Sequence, residues 1–190
     1  MHDAWLVKFE SDADDASVVA SAHDAARLQR HRLARVGAHR ALAGPDVYVY
    51  LELAASTAID DDERAAFASL LPSATVSRLM RNLAPPAASA NEGARNFYVV
   101  ETEVAPGWEA ELTRWYDNEH MLGLASVPGC VRAQRYVNVD TQPWSHACYD
   151  LVSAKTTSSI AWLAVRQTEW SDRVRPQFRN TKRTMFRILT

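Results

Sequence analysis

Apolar and polar residues follow two spacings along this chain, and stretches of each kind come in an order that is written twice. The second half shows it more clearly. Phe97 to Val104 is apolar and β-branched, with Tyr98, Val100, Thr102 and Val104 on one parity, and it predicts a strand. Pro106-Gly107 breaks it, and Trp108 to about His120 carries helical spacing. Val127-Pro128-Gly129 interrupts again, because proline cannot donate the helical hydrogen bond and disfavours helix in the residue before it. Cys130 to Val139 alternates, Asp140 to Pro143 supplies turn residues, and His146 to Ala154 returns as the second arm of a hairpin. Ser158 or Ser159 is placed to cap a helix from Ile160 to about Arg175, which Pro176 ends, and Lys182 to Leu189 closes as a strand.

The first half repeats the order. Trp5 to Phe9 predicts a strand and Ala13 to about Arg30 an alanine-rich helix, with Asp12, Asp14 and Asp15 at its positive end. Leu33 to Leu42 and Val47 to Leu53 follow as strands around Gly44-Pro45-Asp46. Asp60 opens a helix to about Leu71 that Pro72 stops, and Val76 to Leu83 is the last strand. Each half therefore reads β-α-β-β-α-β, the split βαβ or ferredoxin-like unit. Leu-Met-Arg-Asn-Leu (79–83) echoes Met-Phe-Arg-Ile-Leu (185–189), each closing its half. The expected fold is α+β: a module over residues 1–84, a turn-rich linker over 85–95, and a second module over 96–190. Such a module leaves one sheet face apolar, and a second copy can cover it, so the two antiparallel sheets are expected to pair into an intramolecular α/β barrel.

Composition adds limits to this picture. The 190 residues are 47% hydrophobic and 23% charged, as in an ordinary soluble protein, and a net charge of −2 points to neither nucleic acid nor an anionic membrane. Apolar runs are strand-length and no signal peptide is visible, so a cytoplasmic protein without a membrane span is expected. Cys130 and Cys148 match no zinc spacing and read as reduced thiols. The acidic run Asp60 to Glu63 is explained by helix capping and the helix dipole, without a metal. The basic stretch Arg27 to Arg40 lacks interleaved aromatics and reads as a solvated helix end and strand.

Candidate chemistry is concentrated in the second half. It holds twelve of the seventeen aromatic residues and five of the six tryptophans, more than a packed core requires. The segment Trp115-Tyr116-Asp117-Asn118-Glu119-His120 stands out, and Trp108, Leu112, Tyr116 and His120 recur every four positions to form one helix stripe, with His120 at the end of the helix. An imidazole against an apolar wall can exchange protons with a ligand, and Asp117 or Glu119 could fix its tautomer. The bland alternative is a histidine that merely complements the helix dipole. Strand parity adds Tyr98, Arg132, Tyr136, His146 and Tyr149, with Trp144 in the hairpin turn, but leaves open which parity faces the helices. His146 reads equally well as a surface residue of the hairpin.

The stretch Glu111 to Tyr136 resembles the first helix and second strand of dimeric α/β-barrel proteins, and is most similar to their EthD-like members. Trp115-Tyr116, His120, Pro128-Gly129, Arg132, Arg135 and Tyr136 carry the resemblance, over about 26 residues. It implies a cofactor-independent enzyme acting on a hydrophobic cyclic or aromatic metabolite by proton transfer, of lyase, cyclase or isomerase type. His120 would be the general acid or base, Asp117 or Glu119 its orienter, and Tyr98, Trp115, Tyr116 or Tyr136 the walls. A cofactor-free monooxygenase, a haem-binding protein and a non-catalytic ligand-binding protein are alternatives on the same fold. Relatives are mostly single modules that dimerise; here two are fused, and a homodimer of the fused chain is possible. The matching helix of the first half, Ala20 to Arg27, has no aromatic pair and an alanine near the place of His120, so one site per chain is expected.

Overall fold

Asp14 caps the first helix by accepting a hydrogen bond from the Ser17 backbone N–H at 2.8 Å, one of several points where the expected element begins within a residue or two of the observed one. The computed structural model describes residues 1–58, 61–71 and 73–190. Asp60 and Pro72, expected to bound the second helix, lie outside the described residues. The elements are β1 His2–Glu10, α1 Asp15–Leu28, β2 Leu33–Ala41, β3 Asp46–Thr57, α2 Asp61–Leu70 and β4 Thr75–Leu83, then β5 Asn96–Val104. A long helix follows in three parts: α3 Glu109–Trp115, a π-helical turn Tyr116–His120, and α4 Met121–Ala125. After it come β6 Cys130–Asn138, β7 Ser145–Leu151, α5 Ile160–Val165, α6 Glu169–Val174 and β8 Phe178–Ile188.

The chain forms two compact units: residues 1–81 with 138–141 and 186–190, and residues 82–137 with 142–185. In the first, β3 pairs with both β1 and β2 while β4 pairs with the other edge of β1, giving the antiparallel order β2-β3-β1-β4. In the second, β7 lies between β5 and β6, and β8 flanks β5, giving β8-β5-β7-β6. Both are the ferredoxin-like order, so the α+β reading of two tandem modules holds.

Each unit has its own core. In the first, α1 lays Val18, Ala22 and Ala25 against Trp5, Val49, Leu51 and Phe67. Small residues let that helix sit close to its sheet. Glu63 of α2 is buried and accepts a hydrogen bond from the Arg30 backbone N–H at 3.1 Å, so part of the acidic run ties two helices together as well as complementing a dipole. In the second unit the helix-facing core is built of larger groups, including Leu112, Trp115, Tyr116, Leu124, Tyr149 and Trp162. Residues 85–95 do not hang free. Ala88 N–H donates to the Ala125 carbonyl, Ser89 N–H to the Cys130 carbonyl, and the Ser89 hydroxyl accepts from Gly129 N–H. Gly129 itself has φ of +92°, and a Cβ there would lie 2.7 Å from Thr156 Oγ1, so the Pro-Gly turn requires glycine both for its backbone and for space. No helix among the described residues is long and apolar enough to cross a membrane.

Candidate functional site

The site lies within the second unit and begins with a change of helical pitch. Met121 N–H bonds to the Tyr116 carbonyl, five residues back, so the helix widens for one turn over Tyr116–His120. In an α-helix, positions five apart diverge by about 140° around the axis. The wider turn brings Trp115 and His120 onto one side, and their rings stack with centroids 4.0 Å apart and planes 16° from parallel. Tyr116 meets the same imidazole edge-on at 5.5 Å. His120 is therefore not at a helix end, as the four-residue periodicity implied. The chain continues as helix to Ala125, so no helix dipole accounts for the residue.

Sheet residues complete the floor. The helix-facing parity of β5 presents Tyr98 and Val100, and β7 presents Tyr149, with Trp162 of α5 edge-on to Tyr149 at 5.2 Å. Around His120 these groups leave a cavity of about 30 Å³, room for roughly one water-sized group. Leu124 and Phe178 close its sides, while Arg166, Arg175 and Arg183 reach toward solvent at its mouth.

A break in the expected helix Ile160–Arg175 places two of those arginines. Positions nine apart in one α-helix are about two and a half turns apart and point in opposite directions. Here the helix stops at Val165 and restarts at Glu169, where the Thr168 hydroxyl caps the new start by accepting from Ser171 N–H at 3.1 Å. Arg166 and Arg175 can then line the same cavity.

Electrostatics follow from burial. His120 is 7% exposed, and its pKa is pushed down to about 3 by desolvation and by the Arg175 and Arg166 cations, so the ring is neutral at ordinary pH. The Val165 carbonyl is its backbone hydrogen-bond partner, whereas Nδ1 has none among the described residues. In the tautomer that donates from Nε2 to this carbonyl, Nδ1 would offer a lone pair. Trp115 Nε1 is likewise buried without a partner. Desolvation pushes the Tyr116 phenol up to about 12 and raises Tyr98 and Tyr149, so all three stay protonated. Buried polar atoms are nearly always satisfied, so the two unpartnered nitrogens on these stacked rings stand out, although His2 Nε2 and Trp5 Nε1 form a similar pair in the first unit.

Of the residues singled out in sequence, Tyr98, Trp115, Tyr116, His120 and Tyr149 meet at this cavity. Asp117 and Glu119 do not orient the imidazole. Asp117 accepts from Asn82 Nδ2 at 2.9 Å and lies 3.5 Å from Arg135 Nη1, while Glu119 accepts from the Thr168 hydroxyl at 2.6 Å. Pitch explains this, because both carboxylates leave the helix on flanks away from the stacked rings. Arg135 is fully buried beneath Tyr116, its guanidinium 4.8 Å over the ring, and supports that wall. Arg132, Tyr136 and His146 do not line the cavity; in register, Tyr136 pairs with His146 and Arg132 with Asp150. His146 is wholly buried rather than a surface residue, with Nε2 3.0 Å from the Pro143 carbonyl. Trp144 belongs to a separate shallow groove beside Glu109, Thr113 and Arg114. The sequence reading missed Trp162, Phe178 and the three arginines. Thr168 before Glu169 was the available cue to the helix break, and the clustered arginines after Val165 were the cue to the mouth.

No protein-family profile matches the chain, and no curated protein matches it in sequence. Solved structures do. A protein of Lactobacillus acidophilus named a "putative monooxygenase" superposes with a TM-score of 0.68 at 14% identity, over 100% of this chain and 95% of its own. An anthrone oxidase-like protein gives 0.66 at 12% identity, over 98% and 91%. A mutant chlorite dismutase of Candidatus Nitrospira defluvii gives 0.54 at 12% identity, over 98% and 92%. The chain has the ferredoxin-like α/β fold of these proteins. At such identities the likeness speaks for the fold alone.

Proposed function

We propose that the second unit is the catalytic half of a small enzyme that moves a proton on a cyclic or aromatic metabolite, with His120 Nδ1 as the base and no cofactor. The observation that carries this reading is a buried, neutral imidazole that lines a cavity walled by aromatic rings and has one nitrogen without a hydrogen-bond partner among the described residues. Nδ1 would take the proton of an acidic C–H or O–H bond, and the bonding pair would stay on the substrate as an enolate or phenolate. Lyase, cyclase and isomerase reactions all begin this way. The cations that hold His120 neutral in the empty pocket favour the anion formed beside it, so their effects on the transfer largely offset one another. The small cavity admits the reacting atom, and the body of the substrate would lie toward the mouth. A relationship to the EthD-like group fits the Trp-Tyr…His…Pro-Gly pattern.

Monooxygenation without a cofactor is a second reading, supported by the names of two structural neighbours and by the same first step, since a substrate carbanion is what would meet oxygen. Haem fits poorly. A macrocycle needs a pocket of several hundred Å³ on the order of those that hold drug-sized ligands. Trp115 stacks on the imidazole at 4.0 Å, and Tyr116 lies against its edge. The test is deuterium exchange into weak carbon acids such as anthrone and 2-tetralone, measured above the uncatalysed rate by NMR in D₂O. Exchange catalysed by the wild type is expected to fall about 10²-fold or more in His120→Gln. Exchange indifferent to His120 would refute the assignment, and oxygen uptake in the same samples would select the monooxygenase reading. Binding without exchange on any of these substrates would identify a non-catalytic ligand-binding protein.

A further inference from the structure

Three arginines, Arg166, Arg175 and Arg183, converge on one cavity mouth, and among the described residues none of them is held in an ion pair. Elsewhere in the same unit Arg135 is matched with Asp117, and Arg114 and Arg173 with Glu111, while among the described residues the exposed Arg179 donates only to backbone carbonyls. Arg175 Nη1 donates only to the Arg166 carbonyl, at 3.3 Å, which satisfies a hydrogen without neutralising a charge. The Arg175 guanidinium is held below its ordinary value by burial and by facing Arg166 and Arg183, with Asp172 acting the other way. Like charges gathered without a partner cost folding free energy, and a site that keeps them is one that an anion completes. The floor beneath them is aromatic, with Tyr98, Trp162 and Phe178 on its walls. Guanidinium groups suit carboxylates, which they grip by paired hydrogen bonds.

We propose that the ligand of this pocket carries a carboxylate on an aromatic or cyclic body, with Arg166, Arg175 and Arg183 holding the carboxylate at the mouth. The ring then lies over the aromatic floor and presents its reacting edge toward His120. This rests on the reading of the His120 cavity as a small-molecule site and adds the charge and class of the molecule. It also gives the site a specificity: a neutral ligand of the same shape leaves three cations unpaired as its body displaces water from them.

The whole chain can be titrated with 2-naphthoate and with its neutral isostere 2-naphthamide at neutral pH, following quenching of tryptophan fluorescence. Trp115 and Trp162 report directly on the cavity. The wild type is expected to prefer the carboxylate by about tenfold or more, the preference shrinking at high salt. Arg175→Gln and Arg183→Gln are each expected to reduce that preference by about three- to tenfold, with naphthoate binding weakened and naphthamide binding not weakened. Arg183 is exposed and its side chain makes no hydrogen bond among the described residues, so this variant keeps the fold even if Arg175→Gln does not. Equal affinity for the two ligands overturns the carboxylate inference and leaves the aromatic pocket standing. A preference that survives both substitutions also overturns it, because the anion is then held elsewhere. If neither ligand binds the wild type, the pocket reading and the inference fall together.

Discussion

Acidification is expected to weaken the second unit through His120 in a way that one substitution removes. Its folded-state pKa lies at about 3, against 6.5 for the free side chain, because the ring is desolvated and faces Arg175 and Arg166. A depressed pKa means that the unfolded chain binds the proton first, so stability is fully present above the unfolded value and is lost as pH falls toward the folded one. Linkage then gives a loss of about 1 kcal/mol between about pH 6.5 and 5.5, growing to about 2 kcal/mol by about pH 4.5. Other groups titrate over the same span, including carboxylates such as Asp140 and Glu111 whose pKa values are lowered by their partners. They contribute equally to a variant that lacks only the imidazole. Urea unfolding of the wild type and of His120→Gln, followed by tryptophan fluorescence at several pH values, isolates the difference. The wild-type curve is expected to fall more steeply by the stated amounts. Parallel curves would show that His120 titrates normally when folded, and the account of a neutral, buried base would fail.

Three other perturbations test the supporting structure. Trp115→Ala removes a fully buried indole and its stack on His120, with an expected cost of about 3–5 kcal/mol in urea unfolding, whereas Trp115→Phe is expected to retain most of that stability. Gly129→Ala forces a side chain onto a φ of +92° and against Thr156, and a loss of about 1–3 kcal/mol is expected; an unchanged melting temperature would contradict the turn geometry. In the first unit, Asp140→Asn deprives the buried Arg78 of its charged partner, leaving only Asp61, and is expected to cost about 2 kcal/mol by calorimetry.

What the sequence made legible and what it hid separate along physical lines. Period-two and helical spacing are local properties, so the eight strands and their order could be read, and β5 and β6 begin at or within one residue of expectation. Strand β3 runs to Thr57 rather than stopping near Leu53 because its last residues are exposed and alanine-rich, where alternation carries no signal. The π-turn was invisible for a different reason. Tyr116–His120 holds no glycine or proline, and its hydrogen-bond register follows from packing Trp115, Tyr116 and His120 together rather than from any residue's own preference. That single change of pitch moved His120 from a helix end to the middle of a wall and turned Asp117 and Glu119 away from it. Strand parity settled itself only in three dimensions, where Tyr98 and Tyr149 took the helix side.

The aromatic pair and the arginines solve complementary problems, which is why they occur in one cavity. Stacking Trp115 on His120 excludes water and leaves Nδ1 without a partner, but an imidazole desolvated in this way is a weak base on its own. Adding cations at the mouth weakens it further while the pocket is empty. An incoming anion reverses both effects together: it neutralises the cations that depress His120 and brings a proton donor to the open nitrogen. On the proposed function, the imidazole would thus gain basicity only when a ligand of the right charge is bound, and the protein without ligand would not hold it protonated. On this argument, saturating 2-naphthoate is expected to raise the pKa of His120, seen as a titration step moved toward neutral pH in histidine NMR spectra, while 2-naphthamide leaves it in place. A ligand-independent His120 titration in protein saturated with naphthoate would break the link between the arginines and the base.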